Sequence, residues 1–100
     1  MSDINNIIAE RASNYGSFVS QAAIVQRIKQ QMAHSRNWKS LDYDMKESLE
    51  MIALKISRIL NGSSDHIDSW KDIVGYAELI VKRLETELME WEASNDETTT

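Results

Sequence analysis

Apolar residues recur along this chain at intervals of three and four positions, the spacing of one face of an α-helix. The pattern divides into four segments, and proline, the strongest helix breaker, is absent. It predicts helices over residues 4–14, 17–34, 44–61 and 65–91. We therefore expect an all-α, four-helix bundle-like single domain over residues 1–92, followed by a disordered acidic tail over residues 93–100.

Each of the three longer helices carries an apolar stripe that we expect to face the core. The stripes are Phe18, Ala22, Val25, Ile28 and Met32 in the second helix, Met45, Leu49, Ile52, Ile56, Ile59 and Leu60 in the third, and Trp70, Ile73, Val74, Ala77, Val81, Leu84, Leu88 and Trp91 in the fourth. The last two turns of the final stripe extend past what the other helices can cover. This excess predicts a homodimer or a higher oligomer.

Glycines and capping residues mark the predicted helix ends. Asp44 and Glu47 have the spacing of a capping box, and Gly62 is placed to end the third helix in the left-handed conformation. The Asn-Tyr-Gly-Ser break at residues 14–17 allows two interpretations. It is a simple corner between helices, or it holds Tyr15 and free backbone N–H groups beside a binding site.

Composition narrows the possible functions. The 100 residues include no cysteine and two histidines, which excludes disulfides and Cys/His metal sites and leaves oxygen ligands for magnesium, manganese or calcium. No signal peptide or membrane span is visible, so we expect a soluble cytoplasmic protein. The net charge of -5 argues against direct nucleic-acid binding. However, residues 11–39 hold only basic charges and residues 85–97 only acidic ones, so these segments are either solvated faces or contacts for phosphate or a second copy.

Opposite the core stripes, the third and fourth helices carry matching mixed faces. These faces contain Glu47, Glu50, Met51, Leu54 and Arg58, with Lys55 at the margin, and Asp68, Asp72, Tyr76, Leu79 and Arg83. They are either ordinary solvent-exposed faces or, if the two helices are antiparallel neighbours, the two walls of a cleft. In the second case the acids Glu47, Glu50, Asp68 and Asp72 converge on a magnesium ion.

A magnesium site of this kind suits the hydrolysis of a nucleoside triphosphate, which requires metal-bound phosphates and a water oriented for attack. Glu47, Glu50 and Asp72 are the candidate catalytic residues, one of them acting as base. For the nucleotide phosphates the candidates are Lys55, Arg58 and Arg83. Those for stacking on a base are Tyr15, Tyr76 and Trp38.

The segments NYGSF, ESLEMIALKISRILNG and DSWKDIVGYAELIVKRL together resemble small all-helical bacteriophage and prophage proteins. Those in turn are similar to nucleotide-modification-associated proteins and to MazG-like all-α NTP pyrophosphohydrolases. The resemblance spans residues 10–84 and implies that Tyr15 and Gly16 are more than a corner. It also implies an ExxE pair, matched by Glu47 and Glu50, and an ExxD pair, in which Asp72 fits but Ser69 replaces the glutamate and Asp68 stands one place early.

Two classes of function therefore stay open, beside a purely structural module. One is a dimeric, magnesium-dependent enzyme or binding protein for nucleotides. The other is a non-enzymatic phage accessory protein that inhibits a host or defence protein in the host cytoplasm through its acidic helix and tail.

Overall fold

The computed structural model describes the backbone of residues 2–99 and the side chains of residues 3–95. Within these residues it has helices and no strands, so the all-α prediction is confirmed. The elements are α1 (Ser2–Tyr15), α2 (Phe18–Ala33), a 3₁₀ turn (Trp38–Ser40), α3 (Tyr43–Asn61) and α4 (Ile67–Thr99). None of the described helices is both long enough and apolar enough to cross a membrane.

The central element is α3, which packs along α4 and α2, while α1 makes smaller contacts with α2 and α3. Two ion pairs fix the register of α3 and α4. Lys55 meets Asp72 at 3.0 Å, and Arg83 forms a fork with Asp44. Because 11 residues separate the paired positions on each helix, in opposite directions along the chain, the two helices are antiparallel neighbours.

The packed interior of this helical layer is thin. Among the described residues, the buried apolar side chains are Val25 and Ala53, and the buried polar ones are Gln21, Ser48, Ser57 and Ser69. Small residues at Ser48, Ala53 and Ser57 let neighbouring helices approach α3 closely. The molecule extends over 68 × 27 × 25 Å, with a radius of gyration of 18.7 Å. A compact 100-residue domain has a radius of gyration of about 13 Å.

Several residues expected in the core are exposed. Phe18 is 78% exposed, and three residues of the α3 stripe lie at the surface: Leu49, Ile56 and Leu60. Most of the α4 stripe is exposed as well, because α4 packs on α3 through Ser69, Ile73, Tyr76, Ile80 and Arg83 instead. The prediction that these residues face the core is therefore wrong, although periodicity did find an apolar stripe on each helix. It did not say which stripe its own chain covers.

The helix ends also differ from prediction. α3 begins at Tyr43 after Asp42, whose side chain makes no capping hydrogen bond, and the Asp44 carboxylate binds Arg83 instead of closing a capping box. Gly62 has a φ of −134°, so the predicted left-handed conformation there is wrong. The helix α4 continues to Thr99, so disorder of residues 93–100 is not shown. Thr100 and the side chains of residues 96–100 lie outside the described residues.

Candidate functional site

Two helix corners interlock at one end of the molecule. Gly16, between α1 and α2, has a φ of +77°, a conformation that side chains other than glycine rarely adopt. A Cβ atom added to Gly16 would lie 2.1 Å from the backbone oxygen of Asn61, at the end of α3. A Cβ atom added to Gly62 would likewise lie 2.3 Å from the Tyr15 Cα. Both positions therefore require glycine because the two backbones are in direct contact.

Hydrogen bonds lock these corners together. The Asn61 side-chain amide donates to the carbonyl oxygens of Tyr15, at 2.8 Å, and of Ser17, at 3.0 Å. The Ser63 N–H donates to the Asn14 carbonyl at 2.7 Å. The Asn14 and Tyr15 carbonyls lie at the end of α1, where no further turn donates N–H groups to them, so these bonds satisfy them. The Asn-Tyr-Gly-Ser break is thus a built corner, and it fixes the position of the Tyr15 side chain.

The Tyr15 ring is held between two other side chains. The Arg58 guanidinium carbon lies 4.4 Å from the ring centroid, within the range of a cation–π contact. His66 meets Tyr15 edge to face, with ring centroids 5.3 Å apart and an interplanar angle of 88°. The Nδ1 atom of His66 lies 3.0 Å from the hydroxyl of the buried Ser69. Residues from α1, α3 and the start of α4 therefore position one aromatic ring and one guanidinium.

A groove of about 450 Å³ opens beside this cluster, and we call it the glycine-corner groove. Its volume lies within the usual range of small-molecule sites. Its polar and aromatic lining consists of Arg11, Tyr15, Ser17, Phe18, Gln21 and Arg58. No acidic side chain lines it among the residues that the structure describes. The groove therefore carries two positive charges and an exposed aromatic ring.

Arg58 is the unusual residue of this groove. It is half-buried, its Nε atom is buried, and that atom has no hydrogen-bond partner among the described residues. No described carboxylate forms an ion pair with it. Partly burying a charge without a counter-charge is unfavourable, so such groups call for an explanation beyond folding.

The start of α2 also borders the groove. Ser17 is the N-cap of this helix, and its hydroxyl accepts the Ser20 N–H at 3.2 Å. A helix N-terminus presents backbone N–H groups and the positive end of the helix dipole, both of which favour anions. The α2 N-terminus and the two arginines thus both favour an anion at this end of the molecule.

The carboxylates predicted to bind magnesium do not gather in the same way. The Lys55 side chain is only 12% exposed and is paired with Asp72. Glu47 and Asp68 are exposed, and Glu50 is half-buried. In the described part of the chain, no group of three or more histidine, aspartate or glutamate side chains could hold a metal ion. The mixed faces of α3 and α4 do lie side by side, but the described contact between them is an ion pair.

Arg83, another predicted phosphate ligand, is neutralised. It forms a fork with Asp44 and binds Glu87 at 2.7 Å and Asp42 at 2.9 Å. The hydrogen bonds to Asp44, Glu87 and Asp42 raise the pKa of the guanidinium further above its usual range. Asp42 and Asp44 lie at the start of α3. The sequence pattern did not indicate that they would bind Arg83.

The six predicted nucleotide-binding residues are therefore distributed over the molecule, and Trp38 is half-buried in the 3₁₀ turn. Tyr15 and Arg58 meet in the glycine-corner groove. Lys55 pairs with Asp72, and Tyr76 lines a shallow surface depression with Asp72 and Leu79. Arg83 lies 14 residues beyond Ser69 on α4, about 20 Å along the helix axis. Sequence reasoning missed Arg11, Ser17, Phe18 and Gln21 as groove residues. The basic segment from residue 11 and the Gly16–Ser17 break were the available signals.

Comparison with known proteins gives one finding. The family model described as Domain of unknown function (DUF6378) matches residues 1–84, a span that includes both glycine corners and every residue of the groove. No curated protein matches the chain, and no solved structure does. Because the match covers most of the chain, the protein belongs to the family of domains of unknown function DUF6378.

Proposed function

We propose that this protein binds a nucleoside phosphate in the glycine-corner groove. The observation that carries the proposal is Arg58, a half-buried guanidinium that is held against Tyr15 without a carboxylate partner among the described residues. A bound phosphate would supply the missing negative charge and accept charge-assisted hydrogen bonds from the guanidinium. The resemblance to MazG-like proteins, which act on nucleoside triphosphates, supports the same class of ligand.

The groove offers separate places for the two ends of a nucleotide. Arg58, Arg11 and the N-terminus of α2 form its cationic part. Phe18, at the start of α2, is 78% exposed although it is aromatic, and it lines the same groove. Exposed aromatic rings are common stacking surfaces for bases. We therefore assign Arg58 and Arg11 to the phosphates and Phe18 to the base.

The proposal covers binding and assigns no hydrolytic step. The described acids do not form a metal-binding group, and Asp72 is paired with Lys55. The four acids predicted to bind magnesium therefore do not fit that ion in this arrangement. We derive no step through a metal ion. Binding in the groove depends on arginines and therefore persists when magnesium is chelated.

Isothermal titration calorimetry with ATP, GTP, CTP, UTP and the corresponding deoxynucleotides, in the presence of EDTA, tests the proposal. Arg58→Met keeps the apolar stem and removes the charge, and Arg36→Met removes an exposed arginine outside the groove. We expect saturable binding by the wild type and Arg36→Met, and at least tenfold weaker binding by Arg58→Met. Absence of binding for every nucleotide would reject the proposal, as would equal binding by the two variants.

A second pair of variants tests the assignment of the base. Phe18 and Val19 are neighbours with nearly equal exposure, 78% and 79%, but only Phe18 lines the groove. Removal of a stacking ring costs about 1–3 kcal/mol per base. We expect Phe18→Ala to weaken ATP binding by about tenfold and Val19→Ala to leave it unchanged. Equal effects of the two substitutions would reject the assignment of Phe18 to the base.

A second candidate function, contact with a basic partner protein, is favoured by the far end of α4. Glu85, Glu90 and Glu92 are exposed and form no ion pair with the described residues, and Leu88 and Met89 are exposed beside them. This surface suits inhibition of a host or defence protein by an acidic, non-enzymatic accessory protein. Charge reversal at Glu85 and Glu90 is expected to release such a partner at low salt, and retention after charge reversal would reject this candidate.

A further inference from the structure

The exposed face of α4 carries a heptad pattern. Apolar residues alternate at spacings of three and four over 25 positions, the signature of a coiled-coil seam. The first set of seam positions holds Ile67, Val74, Val81 and Leu88, and the second holds Trp70, Ala77, Leu84 and Trp91. Every one of these side chains is exposed. We call this stripe the α4 seam.

The α4 seam is not the surface that holds α4 to its own chain. The buried and half-buried residues of α4 toward α3 are Ser69, Ile73, Tyr76, Ile80 and Arg83. The intramolecular ion pairs, at Asp72 and Arg83, also lie outside the seam. The helix α4 therefore has two apolar faces, and the described residues of the chain cover one of them.

The accessible area indicates how large the missing contact is. The chain exposes 7763 Å², whereas a compact monomer of 11.5 kDa exposes about 5,800 Å². The excess is about 2,000 Å² for one chain. A stable dimer of the obligate type buries about 2,000–5,000 Å² in total. A second copy of this chain is thus an occupant of the right size.

We infer that a second copy covers the α4 seam, with the two α4 helices antiparallel. In this arrangement each position of the first set faces one of the second set. Ile67 packs on the partner's Trp91, Val74 on the partner's Leu84, and Val81 on the partner's Ala77. Leu88 packs on the partner's Trp70, so all eight seam positions have a partner. The two-fold axis of the dimer crosses α4 at the level of Leu79, which itself points away from the seam.

Charge complementarity sets the direction. Four charged residues flank the seam at equivalent heptad positions: Lys71, Glu78, Glu85 and Glu92. In the register centred at Leu79, antiparallel pairing brings Lys71 beside the partner's Glu85 and leaves one pair of like charges, Glu78 and the partner's Glu78. Parallel pairing places the acidic ends of the two helices, with Glu85, Glu87, Glu90 and Glu92, side by side. Flanking charges of this kind determine orientation in coiled coils.

An apolar groove next to the seam fits the same partner. It has a volume of about 280 Å³, and Met45, Leu49, Ile52 and Ala77 belong to its lining. Because Ala77 is small, the seam is open toward α3 at this point. The partner's Val81, which faces Ala77, lies over this groove. The second copy thereby also covers Leu49 of α3, which is exposed in the single chain.

The oligomeric state is tested by light scattering coupled to size-exclusion chromatography. We expect a mass of two chains for the wild type and of one chain for Val81→Glu. Leu79→Glu places the same charge on an exposed residue outside the seam, and we expect it to stay dimeric. Circular dichroism checks that both variants remain helical. A monomeric wild type would overturn the inference, as would a dimer that Val81→Glu and Leu79→Glu affect equally.

The direction is tested with a spin label, which is straightforward because the chain has no cysteine. Ala93→Cys places the label on α4 at an exposed position outside the seam. The antiparallel register predicts a distance of about 40 Å between the two labels, and a parallel pair predicts less than about 25 Å.

A charge swap gives an independent check. Lys71→Glu should weaken the dimer, and added Glu85→Lys and Glu92→Lys should restore it. The short distance, or a failure of this rescue, would overturn the antiparallel assignment.

Discussion

Two arginines at opposite ends of the α3–α4 pair show how similar burial can serve different purposes. Arg83 is half-buried and binds three carboxylates, from Asp42, Asp44 and Glu87. Arg58 is also half-buried, but its described contact is the Tyr15 ring, and its Nε atom has no partner among the described residues. The first arginine is satisfied by its own chain. The second is left with a charge that a ligand can satisfy.

The neighbouring sequence explains the difference. Asp42 and Asp44 stand where the chain enters α3, so Arg83, midway along α4, meets two acids. The glycine corner lies next to residues 11–39, which contain no acid. A buried charge is tolerated when it is paired and disfavoured when it is not. Four substitutions test the contrast between the Arg58 and Arg83 ends.

Gly16→Ala should have the largest effect, because it disrupts the corner that positions Tyr15. An alanine must adopt a φ of +77°, and its Cβ would lie 2.1 Å from the Asn61 oxygen. We expect a loss of about 2–4 kcal/mol in the free energy of unfolding, measured in urea. Gly75→Ala is the matched control, since a Cβ there meets no atom within 4 Å, and it should stabilise α4 by up to about 1 kcal/mol. A tolerated Gly16→Ala would show that the corner is not rigid.

Arg58→Met should separate binding from stability. We expect ATP affinity to fall by about 10- to 100-fold, as for the loss of a charge-assisted hydrogen bond. The free energy of unfolding without ligand should change by less than about 1 kcal/mol, because the lost cation–π contact is offset by removal of an unpaired charge. Calorimetry and urea unfolding measure the two quantities. A large loss of stability with unchanged affinity would make Arg58 a structural residue.

Arg83→Met should have the opposite pattern. Asp42, Asp44 and Glu87 lose their common partner and repel one another, so the midpoint of thermal unfolding should fall, more at low salt than at high salt. ATP affinity should stay at the wild-type value because the glycine-corner groove is unchanged. Thermal scans at two salt concentrations, with a calorimetric titration, check both statements. An ATP affinity that falls with Arg83→Met as much as with Arg58→Met would erase the contrast between the two ends.

Asp72→Asn should have the smallest effect. It weakens one ion pair with Lys55, at 3.0 Å, and partly exposed pairs contribute at most about 1 kcal/mol. ATP affinity should be unchanged with or without magnesium, because Asp72 lies outside the groove. If magnesium strengthens ATP binding to the wild type and Asp72→Asn removes that gain, the carboxylate cleft predicted from sequence would regain support.

The helices were the predictable part of this fold. Their periodicity and the Gly16 and Gly62 breaks placed four elements close to the observed ones. The Glu78 and Lys82 side chains, one turn apart on α4, form an ion pair at 3.4 Å. The antiparallel contact between α3 and α4 also follows from their short connection. These features depend on local spacing, which a single sequence contains.

The core and the site were harder to predict, because they depend on how neighbouring helices are placed. The spacing of Trp70, Val81 and Leu88 predicts an apolar contact but does not tell whether the partner is α3 or a second chain. Helical spacing likewise placed Asp72 on the same face as Tyr76 and Arg83, but it did not indicate that Lys55 of α3 would form an ion pair with it. Tyr15 and Arg58 were both named, yet only the contact between the two glycine corners brings them into one groove.

A titration of ¹⁵N-labelled protein with ATP, followed in ¹⁵N–¹H correlation spectra, distinguishes binding in the glycine-corner groove from binding at the acids of α3 and α4. We predict that the largest shifts occur at the amides of Gly16, Ser17 and Phe18 and at the Arg58 Nε–H, with magnesium present or chelated. Shifts centred on Glu47, Glu50 and Asp72, or no shifts at all, would rule out nucleotide binding in the groove.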